Sequence, residues 1–297
     1  MSWQRKDLSV RVRGLLGTLS AACLFGLGAV LAKPLGQTFH PVFISWLALF
    51  GGGLCILACQ VLRRQPLLPH LTPANWGDLL LLASVGTALP LVCIIAGLPR
   101  TGAITAGFLL QLQAPAALLF AVSLLKERVV GKQIAGIGLL LIGSLLVVLR
   151  DSHGALPLRG NLGALLVLIA AVGIGFSYIP GKRLSQRGDA LQINLLRLFA
   201  GSILLMPVLA FQPVALLAPL SWSVVGVVVL YIVANFVLGY VLLQDGLGRL
   251  QAWTASAILQ TMPLFTTVFA VLLLHETLTF LQLIGGAIIL AGGFLVL

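Results

Sequence analysis

The chain contains an internal repeat at a constant spacing of 149 residues, and this repeat limits the possible folds more than any other feature. Residues 97–148 align with residues 246–297 without a gap, and 20 of the 52 aligned positions are identical. Polar and glycine positions recur as well as apolar ones: Arg100 with Arg249, Thr105 with Thr254, Gln111 with Gln260, Glu127 with Glu276, Gly136 with Gly285, Gly143 with Gly292. Chance identity in a leucine- and glycine-rich chain covers roughly a tenth of positions. We therefore interpret the pattern as a duplication.

The same spacing extends the repeat towards the N-terminus. It aligns Gly26 with Gly175, Lys33 with Lys182, and Gln37 with Gln186. One ungapped spacing thus covers most of the chain and predicts two units, residues 1–149 and residues 150–297.

The composition predicts that both units are embedded in a membrane. Only 8% of the 297 residues are charged and 60% are hydrophobic, whereas a soluble domain carries about 25% charged residues. A membrane helix needs about 20 mostly apolar residues. Breaks at charges, prolines and polar residues give ten such runs: 13–35, 40–62, 75–96, 101–125, 131–149, 161–181, 190–211, 220–243, 251–274 and 279–297.

Five spans in each unit give the fold class. Because five is odd, the second unit enters the membrane from the side opposite to the first. We therefore expect an all-α membrane protein of ten transmembrane helices, arranged as two inverted five-helix repeats. Such repeats are a transporter architecture with the substrate site at their interface near the midplane. Structural duplication without transport is the alternative.

The positions of lysine and arginine predict the orientation. With the N-terminus in the cytoplasm, the cytoplasmic segments hold 13 of these residues and the outer segments hold 4. This bias predicts that both termini are cytoplasmic. The net charge of +11 lies between the apolar runs, so the predicted partner is the anionic lipid bilayer surface and no nucleic acid is expected.

The repeated motifs resemble those of the drug/metabolite transporter superfamily, specifically its EamA-type branch. Each motif has a proline-bearing apolar helix, a leucine pair, a glutamate and a glycine-bearing helix. They are Pro115, Leu124-Leu125, Glu127, Gly136 and Gly143 in the first unit, and Pro263, Leu273-Leu274, Glu276, Gly285 and Gly292 in the second. The stretch from Phe25-Gly26 to Lys33 also resembles the family's first-helix motif. The resemblance covers nearly the whole chain. It implies a central cavity between the units and export of amino acids or related metabolites across a bacterial inner membrane.

Two departures from the family pattern leave the subfamily and its substrate open. Phe25 stands where the family usually has tryptophan. Arg197 occupies an arginine position common in the second helix of each unit, but Ala48 occupies the equivalent position in the first unit. Arg197 is also the one charge clearly inside a predicted span, where it either attracts a solute carboxylate or holds helices together.

Polar and aromatic residues within the predicted spans are the candidates for substrate binding, because polar groups in a membrane need partners or a water-filled cavity. The candidates are Gln111, Gln260, Thr105, Thr254, Trp46, Tyr231, Asn235 and Trp253. Amides both donate and accept hydrogen bonds, and aromatic rings offer stacking and cation–π surfaces. The alternatives are hydrogen bonds between helices for the polar residues and an interfacial aromatic belt for the tryptophans.

A second group of residues is predicted to act in gating. Pro115 and Pro263 free a backbone carbonyl and permit a bend, which is either a hinge or a static kink. Lys33 and Glu276 are predicted on the outer side, while Lys182 and Glu127 are predicted on the cytoplasmic side. We hypothesise that each pair forms a contact when its side closes, with snorkelling of charged ends as the alternative.

Several other functions find less support in the sequence. No paired acids or histidine cluster predicts an enzyme, and no metal or cofactor site is expected. No Asp or Glu lies in the middle of a span, which disfavours exchange of organic cations for protons. A multidrug or nucleotide-sugar carrier and a non-transporting scaffold remain as alternatives. The glycines Gly136, Gly143, Gly285 and Gly292 allow close helix packing, which serves either a homodimer or the bundle itself.

Overall fold

Helices account for all regular secondary structure in the part of the chain that the structure describes. The computed structural model describes residues 2–67, 73–125, 131–149, 162–185, 187–211, 221–250, 258–259 and 261–296. The helices are α1 (Ser2–Thr38), α2 (Pro41–Leu62), α3 (Pro73–Ala83), α4 (Leu89–Thr101), α5 (Ala103–Leu109), α6 (Gln113–Leu125), α7 (Gly131–Leu149), α8 (Leu162–Ser185), α9 (Ala190–Ala210), α10 (Trp222–Tyr231), α11 (Tyr240–Arg249), α12 (Met262–Leu274) and α13 (Phe280–Val296).

Three of the predicted spans are built from two helices each. A π-helical segment, Ser84–Ala88, joins α3 to α4, and a second, Ile232–Gly239, joins α10 to α11. Between α5 and α6 lies a 3₁₀ turn, Leu110–Leu112. Each of these composite helices crosses the apolar layer once.

The described helices match the predicted membrane spans. Seven helical segments are long and apolar enough to cross a membrane, and three shorter apolar helices lie at 134–143, 262–274 and 280–295. Their bounds agree with the ten predicted runs to within several residues. The start of the run 251–274 falls outside the described residues. The prediction of an all-α membrane protein is confirmed.

Several helix ends follow directly from the local sequence. Pro41 occupies the first turn of α2, where its missing N–H is not needed. The Asp189 side chain accepts from the Gln192 amide, and Gln192 Oε1 accepts from the Asp189 amide. These two bonds form a capping box at the start of α9. Large apolar side chains such as Leu16, Leu54 and Ile203 stay exposed on the outer faces, as expected for helices in hydrocarbon.

Glycine contacts relate the two units by a pseudo-two-fold axis. A Cβ added to Gly143 would lie 2.7 Å from the Gly285 carbonyl oxygen, and one added to Gly292 would lie 2.8 Å from that of Gly136. The repeat spacing maps the first pair onto the second, since 143 + 149 = 292 and 136 + 149 = 285. Exchange of contacts between equivalent positions is the signature of two-fold symmetry. The last helices of the two units, α7 and α13, therefore pack on each other.

A second exchanged contact lies closer to the centre of the protein. Gly26 of α1 packs against the backbone carbonyl of Met262, 3.2 Å from an added Cβ. Gly175 of α8 packs in the same way against the Gln113 carbonyl, at 2.5 Å. Gly26 is equivalent to Gly175, and Gln113 to Met262, so the same axis relates the inner helices. These close contacts explain why glycine occupies both positions.

The equivalent helices α1 and α8 cross the protein in opposite directions. Gly14, near the start of α1, packs against Leu250, and Lys33 near its end contacts Glu276. Below, the Glu276 side denotes the face that carries Lys33 and Glu276. The opposite face, at the end of α11, is called the Asp245 side.

The course of α8 is the reverse of that of α1. Gly163, at its start, packs against the side chain of Thr101 near the Glu276 side. Ser185, at its end, lines a pocket with Asp245. The five-helix units are thus inverted relative to each other.

Candidate functional site

A cavity of about 140 Å³ lies between the two units. It is lined by residues of both: Phe25, Gly28, Ala29, Ala32, Leu82, Leu91, Ile94, Leu110, Gln113, Ile174, Ser177, Tyr178, Gly181, Arg197, Tyr231, Asn235, Phe236, Tyr240, Leu243, Gln244, Leu259 and Met262. One water needs about 10–15 Å³ of such space, so the cavity holds on the order of ten waters. This is room for a small metabolite. We call it the central cavity.

Two π-helical segments lie at equivalent places of the repeat, and the second lines the central cavity. The segment 84–88, moved by 149 residues, becomes 233–237, which lies inside the segment 232–239. Single-turn π segments often occur at functional sites. The second segment carries Asn235, which lines the cavity, and the first presents the Gly86 carbonyl to Arg197.

A polar side chain and a glycine face each other at two equivalent contacts. Asn235 fills the space that a Cβ on Gly28 would need, and Ser177 fills the space that a Cβ on Gly86 would need. The spacing maps Gly28 onto Ser177 and Gly86 onto Asn235. The second unit supplies the polar residue of both contacts, Asn235 from the π-helical segment and Ser177 from α8, and the first unit supplies both glycines. Both polar residues line the central cavity.

Arg197 brings a buried positive charge to the central cavity. Its residue is 7% exposed, and it lies about 10 Å along α9 from the helix start at 1.5 Å per residue. The Nε donates to Thr87 Oγ1 at 2.5 Å, and an Nη donates to the Gly86 carbonyl at 3.4 Å. The guanidinium also lies over the Tyr240 ring, 4.1 Å from its centroid. These contacts fix the orientation of the charge.

Aromatic residues form much of the remaining wall. Phe25 and Tyr240 contact edge to face with ring centroids 5.2 Å apart, and Tyr231 contacts Phe236 in the same manner at 5.4 Å. Tyr178 donates to Gln113 Oε1 at 3.2 Å, which joins α8 to the start of α6. A solute in the cavity therefore meets apolar ring surfaces together with a few oriented polar groups.

On the Glu276 side, the carboxylate of Glu276 connects the loop after α12 to α1 and α5. Glu276 Oε1 accepts from Lys33 Nζ at 2.6 Å and from the Ala103 amide at 3.0 Å, while Oε2 accepts from the Ile104 amide at 3.2 Å. The two amides belong to the first turn of α5, where unpaired N–H groups favour a negative charge. We call these four residues the Glu276 network. It joins α1, α5 and the loop after α12.

The backbone around the Glu276 network is specialised for this contact. Gly102 precedes α5 with a φ of 89°. A Cβ added to Gly102 would lie 3.7 Å from the Glu276 carboxylate. His275 adopts a left-handed conformation with a φ of 52° at the end of α12. The Glu276 amide then donates to the Ala270 carbonyl at 3.2 Å. This turn directs the Glu276 carboxylate back towards α5.

The Glu276 network also determines the charge state of its carboxylate. Burial by itself raises the pKa of Glu276, but the hydrogen bonds from Lys33 and from the Ala103 and Ile104 amides outweigh burial. The pKa of Glu276 therefore lies below its ordinary value. The network holds the ionised form at neutral pH.

On the Asp245 side, the central cavity borders a second and more open pocket. This pocket, of about 480 Å³, is lined by residues at the Asp245 side: Ser185, Gly188, Asp189, Ala190, Gln244, Asp245, Gly248 and Arg249. Gln244 lines both the pocket and the central cavity. Asp245 pairs with Arg249 on its own helix at 2.8 Å. The central cavity thus adjoins the Asp245 side, while the Glu276 network joins helices at the far side.

The structure brings some of the predicted site residues together. Tyr231 and Asn235 line the central cavity, and Lys33 and Glu276 form an ion pair. Thr105 lies at the Glu276 side, where its Oγ1 accepts from Gln282 Nε2 at 3.1 Å.

Other predicted residues lie away from the central cavity. Gln111 is buried in the 3₁₀ turn but is not among the lining residues. Trp46 stacks on Phe50 with ring centroids 5.2 Å apart, within an aromatic row along α2. Lys182 is exposed in the last turn of α8. Gln260, Thr254, Trp253 and Glu127 lie outside the described residues.

The two predicted hinge prolines occupy the first turns of helices. Pro115 is the third residue of α6, directly after the 3₁₀ turn, and Pro263 is the second residue of α12. Proline fits there because the N–H groups of a first turn have no partner within the helix.

Some cavity residues were not singled out from the sequence. Ser177, Tyr178 and Gln244 look like ordinary polar residues of an apolar span. The repeat held one usable signal, since it pairs Ser177 with Gly28 and Gly86 with Asn235. A polar–glycine exchange at equivalent positions indicates a contact across the axis.

Comparison with known proteins agrees with this architecture. The EamA-like transporter family matches residues 12–149 and again residues 161–297. An uncharacterized transporter of Methanothermobacter thermautotrophicus is 24% identical over 96% of this chain and 86% of its own length. A probable amino-acid metabolite efflux pump of Salmonella typhimurium is 28% identical over 63% of this chain and 64% of its own length.

Two further similarities concern a named exporter and a solved fold. A probable terminal-alkyne amino-acid exporter of Streptantibioticus cattleyicolor is 29% identical over 65% of this chain and 63% of its own length. One crystal structure superimposes with a TM-score of 0.70 at 18% identity and covers 97% of this chain and 96% of that chain, which shows a shared fold. With two matches of one family across an inverted helical duplication, the chain belongs to the EamA-like transporter family.

Proposed function

We propose that the chain exports a small amino-acid-derived metabolite by alternating access through the central cavity. The observation that carries this proposal is the position of the cavity between the two inverted units. It shares Gln244 with the open pocket of the Asp245 side, whereas none of its described lining residues belongs to the Glu276 network. Alternating access in inverted-repeat transporters moves one unit against the other around a fixed central site.

The proposed orientation places the Asp245 side in the cytoplasm of a bacterium, with both termini on that side of the inner membrane. Arg63, Arg183 and Arg249 lie at helix ends on this side, in keeping with the positive-inside rule. The described state then opens towards the cytoplasm, ready to accept an intracellular solute. The names of the Salmonella typhimurium and Streptantibioticus cattleyicolor relatives support the outward direction.

The proposed cycle uses the charged pairs of both units. Lys33 and Glu276 hold the outer side closed while the solute enters from the cytoplasm. The repeat assigns Lys182 and Glu127 the same task on the cytoplasmic side when the outer side opens. Gln111, Gln260, Thr105, Thr254, Trp46 and Trp253 remain proposed contacts along the solute path, with Pro115 and Pro263 at the helix bends.

A multidrug carrier of the same superfamily is the second candidate. Organic cations would need an acidic or strongly aromatic partner. The aromatic wall of the central cavity favours this candidate, whereas the positive charge of Arg197 opposes it. A metabolite with a negative group suits both features.

Counterflow in proteoliposomes tests the proposal. Vesicles loaded with a panel of amino acids, their 2-oxo and N-acyl derivatives, and cationic dyes are diluted into labelled solute. We expect transient accumulation of an amino-acid derivative and none of a dye. Accumulation of dyes alone would support the multidrug carrier. No accumulation of any solute by folded, monodisperse protein would contradict transport and favour a scaffold.

A further inference from the structure

We infer that Arg197 binds the carboxylate of a solute whose net charge is −1. The inference rests on the proposed function and names the substrate class that the central cavity accepts. It separates monoanionic carboxylates, such as 2-oxo acids or N-acylated amino acids, from free zwitterionic amino acids.

The first step is that the described partners of Arg197 are all neutral. They are the Thr87 hydroxyl, the Gly86 carbonyl and the Tyr240 ring. A guanidinium has five N–H donors and stays charged in proteins. The two hydrogen bonds to Thr87 and Gly86 leave donors of this side chain for another acceptor.

The second step is that none of the four acids whose side chains are described pairs with Arg197. The acids with described contacts are engaged elsewhere: Asp78 with Arg183, Asp189 at the start of α9, Asp245 with Arg249, and Glu276 with Lys33. Residues 251–257 and 260, which flank the cavity-lining Leu259 in sequence, include no charged residue. Within the described part of the chain Arg197 thus has no counter-ion, and we assign that role to the solute.

The third step is the cost of a buried unpaired charge. An isolated ion is strongly disfavoured in a low-dielectric interior, and charged residues within membrane spans usually pair or face a water-filled cavity. Arg197 is 93% buried, from its 7% exposure, and lines the central cavity. A solute carboxylate that enters the cavity completes the pair, and Arg matches the planar carboxylate geometry.

The fourth step is the charge balance, which selects the solute class. Arg197 is the one charged residue among the described residues that line the central cavity. A monoanion brings the occupied cavity to neutrality, whereas a zwitterion leaves it at +1 and a phosphate dianion leaves it at −1. A neutral occupied cavity moves between the two access states at the lowest electrostatic cost.

The cavity also offers a further donor to an anion. Gln244 is 7% exposed and lines the central cavity, and its Nε2 has no hydrogen-bond partner among the described residues. An unsatisfied buried amide donor is costly. Arg197 and Gln244 both favour an acceptor-rich group, and the aromatic wall suits an apolar remainder.

Three ligands of nearly equal shape test the charge preference. The 2-oxo analogue of valine, valine itself and valinamide have the same number of heavy atoms. At about pH 6.5, below the ordinary α-amino pKa, they carry net charges of −1, 0 and +1. Binding is measured on purified full-length protein in nanodiscs. We expect the oxo acid to bind most tightly and valinamide most weakly.

Variants then assign the preference to Arg197. Arg197→Gln should weaken binding of the oxo acid by roughly 30-fold or more and remove the charge order. Arg197→Lys keeps the charge, and we expect the order to survive with lower affinity. Arg183→Gln, which removes an exposed arginine that does not line the cavity, should leave binding of all three ligands unchanged.

Specific outcomes would overturn the inference. Tighter binding of valinamide than of the oxo acid by the wild type would do so without any variant, and so would binding of none of the three. Unchanged oxo-acid binding in folded Arg197→Gln would also do so. Counterflow separates this result from the proposed function. Transport of all three ligands without the expected order of affinities would contradict only the carboxylate site. Binding in the expected order without any transport would contradict only the proposed export function.

Discussion

Gly28 of α1 lies directly against the side chain of Asn235, so that no Cβ fits at position 28 without moving the amide. The equivalent contact in the other half pairs Ser177 with Gly86. The same polar–glycine contact therefore occurs twice, with the polar side chain on the π-helical segment in one contact and on α8 in the other. Both polar groups reach the central cavity from different directions.

The first prediction is that Gly28→Ala disables the site by overpacking. The added methyl group must displace Asn235, at a typical cost of about 1–3 kcal/mol. We expect a lower melting temperature and loss of counterflow. The double variant Gly28→Ala with Asn235→Gly should recover the melting temperature because it restores the space.

Gly226→Ala is the matched control for this prediction, since nothing lies within 4 Å of a Cβ at that position. It should be neutral or slightly stabilising, because alanine favours a helix over glycine by up to about 1 kcal/mol. A Gly28→Ala protein with normal melting and normal counterflow would refute the packing argument.

The second prediction concerns the order of losses in the Glu276 network. Glu276→Ala removes the partner of Lys33 and of two amides, and we expect a loss of about 2–3 kcal/mol from the cap and the charge-assisted bond together. Lys33→Ala leaves both amide bonds in place and should cost less. Glu276→Gln retains an acceptor oxygen and should lie near Lys33→Ala.

Melting temperatures in one detergent measure this order. The charge-exchanged double variant, Lys33→Glu with Glu276→Lys, should recover only part of the loss, because an ammonium at position 276 cannot accept from the Ala103 and Ile104 amides. Full recovery would show that the ion pair alone matters and that the amides of α5 contribute nothing.

The third prediction is that Gly102→Ala is destabilising despite the available space. Its φ of 89° is a conformation that side-chain-bearing residues rarely adopt, and such strain costs about 1–3 kcal/mol. The start of α5 should shift away from Glu276. We expect the melting temperature to fall, whereas Gly77→Ala, with nothing within 4 Å of its added Cβ, should leave it unchanged or raise it.

The fourth prediction is a pH dependence of the Glu276 network. The pKa of Glu276 is lowered in the folded protein, so its contribution to stability is complete above the unfolded value of about 4.3. The contribution is lost as the pH falls through the lower folded value. The difference in melting temperature between wild type and Glu276→Gln should therefore be constant from neutral to mildly acidic pH and then shrink. A difference that shrinks already near neutral pH would contradict a lowered pKa.

The repeat and the apolar runs were sufficient to predict the fold. They were sufficient because, in a bilayer, every spanning segment must satisfy its own backbone hydrogen bonds, and few architectures do so. The contact between Lys33 and Glu276 was also predictable, because an ungapped inverted repeat places both residues at the same face. The additional bonds from Ala103 and Ile104 were not predicted, since they depend on a helix break at Gly102 that apolar periodicity does not show.

The cavity lining was predicted only in part. Tyr231 and Asn235 share a helix face, and that pattern is visible in the sequence. Trp46 and Gln111 have the same residue chemistry but lie elsewhere, because the rotation of a helix about its axis follows from packing with its neighbours. Arg197 was noticed as a charge, but that no described acid pairs with it emerges only when the contacts of those acids are known.

In the proposed cycle, the Glu276 side opens only when the Glu276 network breaks. One carboxylate accepts from the ammonium group of Lys33 on α1 and from two peptide N–H groups at the start of α5. Withdrawal of that carboxylate leaves all three donors unsatisfied at the same moment, so partial opening gains little and complete opening, with water reaching every donor, is the next stable arrangement. Under the proposed function, such a junction would break in one step, and the transporter would spend little time with both faces open.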